Sequence, residues 1–153
     1  MRGTGSPAMS FVIGNECKLY RNSGSYASPT WLEIENVKDL SYTSEAQEAD
    51  LTTRANNGYT ATVATLKSIS VNFGMVYDPD DVDYAALETA YDAKDVIEIA
   101  ICDGPIGTTG TKGIRLSTQI FSFGQDQALT EGVTVPVTMK TTYSSNAPSR
   151  FTI

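Results

Sequence analysis

The clearest alternation of hydrophobic and polar positions lies in residues 67–77, KSISVNFGMVY. Every second position is large and apolar, and the positions between are mostly small or polar; the apolar set is Ile69, Val71, Phe73, Met75 and Tyr77. Because side chains alternate across a strand, this pattern predicts a β-strand with one buried face. The preceding residues 51–65 are rich in Thr, Ala, Asn and Gly around Asn57-Gly58, a dipeptide that favours tight reversal. We therefore predict a long hairpin with a projecting polar tip.

The segment after this strand predicts a helix. Asp78-Pro79-Asp80-Asp81 forms a turn that also supplies an N-cap at Asp80 or Asp81, and the helix then runs to about Ala93. Apolar residues recur at spacings of three and four, which places them on one face against a sheet: Tyr84, Leu87, Ala90 and Tyr91. Acidic residues at the start and Lys94 at the end fit the helix dipole.

Further strands are predicted on both sides of the hairpin and helix. Residues 96–102 (VIEIAIC) alternate, and residues 114–123 alternate until a change of phase at Phe121 that indicates a bulge. Residues 133–140 also alternate, but Pro136 lacks an N–H, so we expect that strand at a sheet edge or bulged there. With the short N-terminal strands, the sequence predicts a mainly β fold: a β-sandwich or barrel with one flanking α-helix and a long projecting hairpin loop.

Residues 41–50 (SYTSEAQEAD) have the spacing of a strand but few large apolar side chains, and they carry Glu45, Glu48 and Asp50. A strand without an apolar face is weakly specified in an isolated sheet. We therefore interpret this segment as a strand whose partner lies in another chain. A solvated surface strand or loop is the alternative.

The length of 153 residues predicts one domain. Residues 1–8 are interpreted as a flexible tail or cloning remnant, residues 9–143 as the β domain, and residues 144–153 as a C-terminal arm. No apolar run reaches the roughly 18–20 residues that span a bilayer, and no secretory leader is recognisable, so we expect a soluble cytoplasmic product. The two cysteines, Cys17 and Cys102, are expected to be buried free thiols.

The net charge and the absence of histidine argue against nucleic-acid binding and against catalysis. The net charge is −7, from 18 acidic and 11 basic residues, and no Lys/Arg cluster is present to hold phosphates. Histidine is absent, which removes the commonest general base and metal ligand. The acids at 78, 80, 81 and 83 lack the glycine and final glutamate of a calcium loop, so helix capping explains them better. We predict no enzyme, no metal site and no cofactor.

Four segments carry a family resemblance: EADLTTR (48–54), NGY (57–59), LKSISVNF (66–73) and VYD (76–78). Together they resemble the major tail tube proteins of long, non-contractile-tailed bacteriophages, in which an acidic Asp-x-Thr-Thr strand enters a polar loop. In that family a Leu-Lys strand then alternates into Phe, and an Asp-bounded helix follows. The order of elements holds through Cys102, and GVTVPVT (132–138) also fits. The resemblance spans about residues 9–143.

The resemblance implies a β-sandwich with a flanking helix, in a subunit that forms hexameric rings. Strands from the six subunits would join into an inner barrel, and rings would stack through long loops and terminal arms. Strand 41–50 would then be ordered by neighbours, with candidate lumen-lining acids that repel DNA: Glu45, Glu48 and Asp50. The candidate inter-ring and inter-subunit loop residues are Arg54, Asn56, Asn57, Gly58 and Tyr59.

The implied partners are further copies of the chain, the terminator, tape measure and tail-tip proteins, and double-stranded DNA that passes without specific binding; no membrane takes part. The implied location is the virion tail, made and assembled in the bacterial host cytoplasm. Two alternatives stay open. One is the inner tube of a contractile tail or secretion system. The other is a β-sandwich module that binds carbohydrate or a surface, with Trp31 and exposed tyrosines as a stacking platform.

Overall fold

The computed structural model describes residues 11–153, so the predicted tail of residues 1–8 lies outside the described part of the chain. The strands are β1 (Lys18–Asn22), β2 (Trp31–Glu33), β3 (Val37–Asp50), β4 (Thr62–Val76), β5 (Ile97–Cys102), β6 (Lys112–Phe123), β7 (Thr134–Thr141) and β8 (Ser149–Thr152). Helix α1 spans Val82–Ala93, and short 3-10 turns span Gly14–Glu16 and Arg54–Asn56. Within residues 11–153, no helix is long and apolar enough to cross a membrane.

The strands form one antiparallel sheet in the order β2-β1-β5-β6-β7-β4-β3. Strand β8 is not part of this order and pairs with β6. The predicted mainly β fold of the sandwich or barrel class, with a single helix and a long hairpin, is confirmed. The chain divides into two compact units. The first contains residues 11–35, Val96–Ser117 and Tyr143–Ile153, and the second contains Asn36–Asp95 and Thr118–Thr142.

The first unit is built on β1, β5 and the first half of β6. Both faces of β5 are buried from Ile99 onward. Ala100 and Cys102 of β5 form an apolar cluster with Tyr20, and the residues packed against this cluster are Trp31, Ile106 and Phe151. The segment predicted as a C-terminal arm contains β8, whose Phe151 pairs with Gly113 of β6. A Cβ on Gly113 would lie 2.8 Å from the Ile101 carbonyl oxygen and 2.9 Å from the Phe151 ring, so only glycine fits there.

The prediction for the cysteines is half right. Cys102 is buried in β5, whereas Cys17 is exposed, and both are free thiols. Cys17 lies at the end of a 3-10 turn, one residue before β1 begins, so no sheet covers it.

The second unit carries the strand and helix with the clearest sequence patterns. Of the predicted core face, Ile69, Val71, Phe73 and Met75 are buried in β4, whereas Tyr77 follows the strand and is half-buried. Strand β7 adds Val135, Val137 and Met139 to this core. The Asp81 carboxylate caps α1 by accepting from the Tyr84 N–H at 3.2 Å. The helix buries Tyr84, Leu87 and Ala90, and Tyr91 stacks on Phe123 with ring centroids 5.8 Å apart.

The bulge predicted near Phe121 is present, since the β6–β7 register shifts between Ile120 and Ser122. The strand that contains Pro136 was predicted to lie at a sheet edge or to be bulged there. Both alternatives are wrong for β7, which lies between β4 and β6 and pairs with β4 without a register shift at Pro136. The proline is tolerated because the last β6 partner is Phe123, opposite Val137, so β6 has no residue paired with Pro136.

Candidate assembly surface

The β3–β4 hairpin is the most exposed secondary structure of the second unit. Strand β3 ends the sheet and pairs only with β4, and β4 pairs with β7 only from Ser70 onward. Residues 45–50 and 62–68 therefore form a two-stranded extension, here called the distal ribbon, and nearly every side chain in it is exposed. An isolated two-stranded ribbon is at best marginally stable in water. No strand within residues 11–153 supplies the distal ribbon with a further partner.

The outer edge of β3 presents backbone groups that no strand within residues 11–153 covers. The Val76 N–H donates to the Asn36 carbonyl at 2.9 Å, so even-numbered residues of β4 direct their backbone groups towards β3. Ser70 is paired with Thr43, so the backbone N–H and C=O of Thr43 point towards β4, whereas those of Ser44 point outward. Such a row of free donors and acceptors is a template for a strand from another chain.

The side of this sheet opposite the apolar core is polar. The register places Tyr42 with Val71 and Ser44 with Ile69 on the core side, so their neighbours face the other way. This polar face consists of Asp39, Ser41, Thr43 and Glu45 from β3, Ser68, Ser70, Asn72, Gly74 and Val76 from β4, and Pro136, Thr138 and Lys140 from β7. The Thr138 hydroxyl donates to the Asn72 side-chain oxygen at 2.9 Å, and the Lys140 ammonium lies 5.5 Å from the centroid of the Phe121 ring.

The three acids singled out in the sequence do not share a face. The β3–β4 register shifts between Ala46 and Glu48, and the extra residue lies on β4, so alternation along β3 is preserved. Glu45 consequently lies on the polar face, whereas Glu48 and Asp50 lie on the opposite face of the distal ribbon. This difference was predictable from the sequence, because odd-numbered and even-numbered residues of one strand lie on opposite faces. Asp39 and Lys140, which join Glu45 on the polar face, were missed because only the pairing with β4 and β7 reveals them.

The hairpin tip is a compact, exposed turn. The Thr53 hydroxyl accepts from the Ala55 N–H, and Asn57 and Gly58 both adopt positive φ values of 56° and 82°. This confirms the reversal predicted from the Asn-Gly dipeptide. Arg54 is exposed, the Tyr59 side chain is 78% exposed, and the Asn56 amide nitrogen is buried without an acceptor among the described residues. The tip therefore offers a charge and an aromatic ring at its surface.

Asp50 lies where the ribbon enters this tip. Hydrogen bonds from Thr52, through its side chain and its backbone N–H, lower the pKa of Asp50. The carboxylate is therefore held in its charged form at the base of the tip.

Two aromatic residues of the first unit, Tyr26 and Trp31, are in contact with Arg115. The Arg115 guanidinium lies 3.8 Å from the centroid of the Tyr26 ring and 5.2 Å from that of Trp31. Its Nε donates to the Glu98 carboxylate at 2.8 Å, and this hydrogen bond raises the pKa of Arg115. Trp31 also packs against the apolar cluster around Tyr20. These contacts disfavour a carbohydrate platform at Trp31, because the rings already have stacking partners.

No protein-family model and no curated protein matches the chain. Solved structures do match over nearly its whole length. The SPP1 tail tube superposes with a TM-score of 0.74 at 13% identity, covering 93% of this chain and 80% of the other. The tail of an empty gene transfer agent particle, refined with C6 symmetry, gives 0.68 at 16% identity, covering 90% and 96%. The chain has the tail-tube fold.

The tail-tube fold is also found in contractile assemblies. The sheath-tube complex of an extracellular contractile injection system, in its extended state, superposes with a TM-score of 0.66 at 8% identity, covering 94% of this chain and 93% of the other. The fold expected from the resemblance in residues 48–78 is therefore confirmed. At these identities the likeness establishes the fold alone.

Proposed function

We propose that this chain is the structural subunit of a phage-type tail tube, which assembles into closed rings that stack along an axis. The observation that carries this proposal is the unpaired outer edge of β3 together with the two-stranded distal ribbon. Sheet edges promote uncontrolled pairing unless they are covered. A closed ring covers every edge with the same surface of the next copy, and it needs no further protein.

Six copies per ring are proposed, in line with the C6 symmetry of the gene transfer agent tail that shares the fold. The outer edge of β3 would pair with a strand of the neighbouring copy, extending the sheet around the ring. The distal ribbon would then gain a third strand, which no part of residues 11–153 supplies.

The polar face is proposed to line the lumen. Its exposed large apolar side chains are Val76 and Phe121, the latter beside the Lys140 ammonium, and most of its other residues are polar, so it suits contact with water. Glu45 and Asp39 would repel the phosphates of passing double-stranded DNA, and screening over about 8–10 Å confines this repulsion to the wall. Glu48 and Asp50, on the opposite face, would instead meet neighbouring copies.

The tip is proposed to contact the next ring. Arg54 would pair with an acid there, and Tyr59 would bury its exposed ring. Asn56, Asn57 and Gly58 would set the shape of the turn that presents them.

The proposed role is non-enzymatic and needs no cofactor. Terminator, tape measure and tail-tip proteins would bound the tube, in a virion tail assembled in the bacterial host cytoplasm. The inner tube of a contractile tail or injection system is the second candidate, because the contractile injection system shares the fold. A sheath protein encoded with this chain would favour that candidate.

Electron microscopy of the concentrated full-length chain over a range of salt concentrations tests the proposal. Rings or tubes are expected, and persistent monomers under all conditions would overturn it. A variant that lacks residues 54–60 joins Thr53 to Ala61 and leaves a short loop between β3 and β4. We expect this variant to fold and form rings that do not stack, and normal tubes would overturn the role of the tip.

A further inference from the structure

The turn at the hairpin tip contains the chain's one Asn-Gly pair, Asn57-Gly58. Both residues are exposed. The space around Gly58 is open, since apart from Gly58 and its two chain neighbours no residue has an atom within 4 Å of the position that a Cβ would occupy. A glycine on the C-terminal side of an asparagine leaves its backbone nitrogen unshielded, because no side chain stands beside it.

Asn57 is also unrestrained by hydrogen bonds. Within residues 11–153, neither its carboxamide nor the Gly58 N–H makes one. Two other asparagines, Asn22 and Asn72, are restrained by hydrogen bonds. The Asn22 side chain accepts from two backbone N–H groups and donates to Glu98 at 2.7 Å, and the Asn72 side chain accepts from Thr138. Asn72 is moreover followed by the bulky Phe73.

We propose that Asn57 is a site of spontaneous deamidation. The Gly58 backbone nitrogen loses its proton and attacks Cγ of Asn57, forming a C–N bond. The bond from Cγ to Nδ2 breaks, and Nδ2 leaves as ammonia after taking up a proton. Water then adds to the five-membered succinimide. Opening at Cγ gives aspartate, and opening at the main-chain carbonyl gives isoaspartate. No oxidant or other co-reactant is required.

Ring closure requires the turn to open. Asn57 now has a ψ of 35°, and the bond between its Cα and its carbonyl carbon must rotate before the Gly58 nitrogen reaches Cγ. The rate therefore depends on how freely the tip moves. The product adds one carboxylate to a chain whose net charge is already −7, three residues from Arg54.

The test incubates the full-length unassembled chain from mildly acidic to mildly alkaline pH and maps its peptides by mass spectrometry, with isoaspartyl methyltransferase labelling as a second readout. We expect deamidation at Asn57 to be at least about tenfold faster than at any other asparagine, because only Asn57 precedes glycine. The rate should rise with pH, since the attacking nitrogen must lose a proton. Asn57→Gln should abolish the isoaspartate signal from the tip peptide.

Deamidation at Asn57 no faster than at Asn72, or at a rate independent of pH, would overturn the proposal. The chemistry needs only one folded chain, so this result does not depend on assembly. A comparison with tubes addresses the proposed tip contact separately. Slower deamidation in tubes than in free chains would support that contact, and equal rates would overturn it while leaving the deamidation site in place.

Discussion

At the scale of single residues, Arg115 ties a loop to two strands in the first unit. From β6 its guanidinium donates to Glu98 on β5 through Nε at 2.8 Å and Nη2 at 2.9 Å. Nη2 also donates to the Tyr26 carbonyl at 3.0 Å, and the Tyr26 ring lies beneath the guanidinium. Both charged side chains are mostly buried, with 17% and 11% of their surfaces exposed.

We predict that Arg115→Ala lowers the free energy of unfolding by about 3 kcal/mol, because it leaves the Glu98 carboxylate buried without its cation. Urea denaturation followed by circular dichroism measures this change. Lys112→Ala is the matched control on the same strand, where the side chain is exposed, and it should stay within about 0.5 kcal/mol of the parent chain. Equal stability of the two variants would contradict the prediction.

Cys102 gives the chain a pH dependence. Burial, with a smaller contribution from Asp103, raises the pKa of the Cys102 thiol from 9.0 to about 11. Between these values the unfolded chain loses the thiol proton and the folded chain keeps it, so the unfolded state binds fewer protons and stability falls as pH rises. We predict a contribution of about 2 kcal/mol that is complete below pH 9 and lost towards pH 11.

Unfolding of the parent chain, Cys102→Ala and Cys17→Ala across this pH range measures the effect. All other titrating groups are common to the three proteins. The fall should be shallower in Cys102→Ala and should persist in Cys17→Ala, because that variant keeps the buried Cys102 thiol. Parallel pH profiles for all three would show that the buried thiol contributes nothing.

At the scale of elements, the sequence predicted the strands and the helix whose burial follows from the local order of apolar and polar residues. Strand β4 and helix α1 agree with the prediction down to the Asp81 cap, because alternation and capping are local properties. The central position of β7 was not predictable in this way. Strand order depends on pairings between distant segments, and Pro136 is accommodated only because β6 stops opposite Val137.

The same distinction between local signals and long-range pairings applies to the candidate site. The exposed strand 41–50 and the tip turn were predictable, since a strand without apolar residues and an Asn-Gly pair are local signals. The composition of the polar face was not. Asp39 and Lys140 join Glu45 through the registers of β3 with β4 and of β4 with β7, and bulges in β3, β4 and β6 shift those registers.

The backbone orientation of β3 leads to a prediction about its edge. Ser44→Pro removes an N–H that points away from β4, so the single chain should lose no sheet hydrogen bond. We expect a folded monomer, within about 1 kcal/mol of the parent chain, that no longer forms rings because a proline blocks strand addition. Analytical ultracentrifugation and electron microscopy measure both properties.

Thr43→Pro is the matched control, one residue away. Its N–H points towards β4, so this variant should lose about 3 kcal/mol or more of folding stability. Normal rings from Ser44→Pro would mean that β3 is not the edge joined in the ring. Equal destabilisation by both prolines would mean that the deduced backbone orientation is wrong.

At the scale of the whole molecule, the strand register places the acids of the hairpin on two faces, and one of these faces would meet DNA in the proposed tube. The net charge of −7 does not distinguish the two faces of the hairpin, because acids occur on both. Glu45 and Glu48 are three residues apart, both exposed, and on opposite faces. They therefore make a matched pair for identifying the lumen in assembled tubes.

We predict that tubes of Glu45→Lys retain short duplex DNA at low salt, whereas tubes of the parent chain and of Glu48→Lys do not. Glu45→Lys places a cation on the proposed lumen wall in every subunit, and each phosphate that it neutralises makes the slope of log affinity against log salt more negative by about 0.9. Co-sedimentation of labelled duplex with tubes, repeated across salt concentrations, measures both retention and slope. Unassembled Glu45→Lys chains should bind far less, since the cations are then not gathered around one channel. Retention by Glu48→Lys tubes with none by Glu45→Lys would place the lumen on the opposite face of the hairpin.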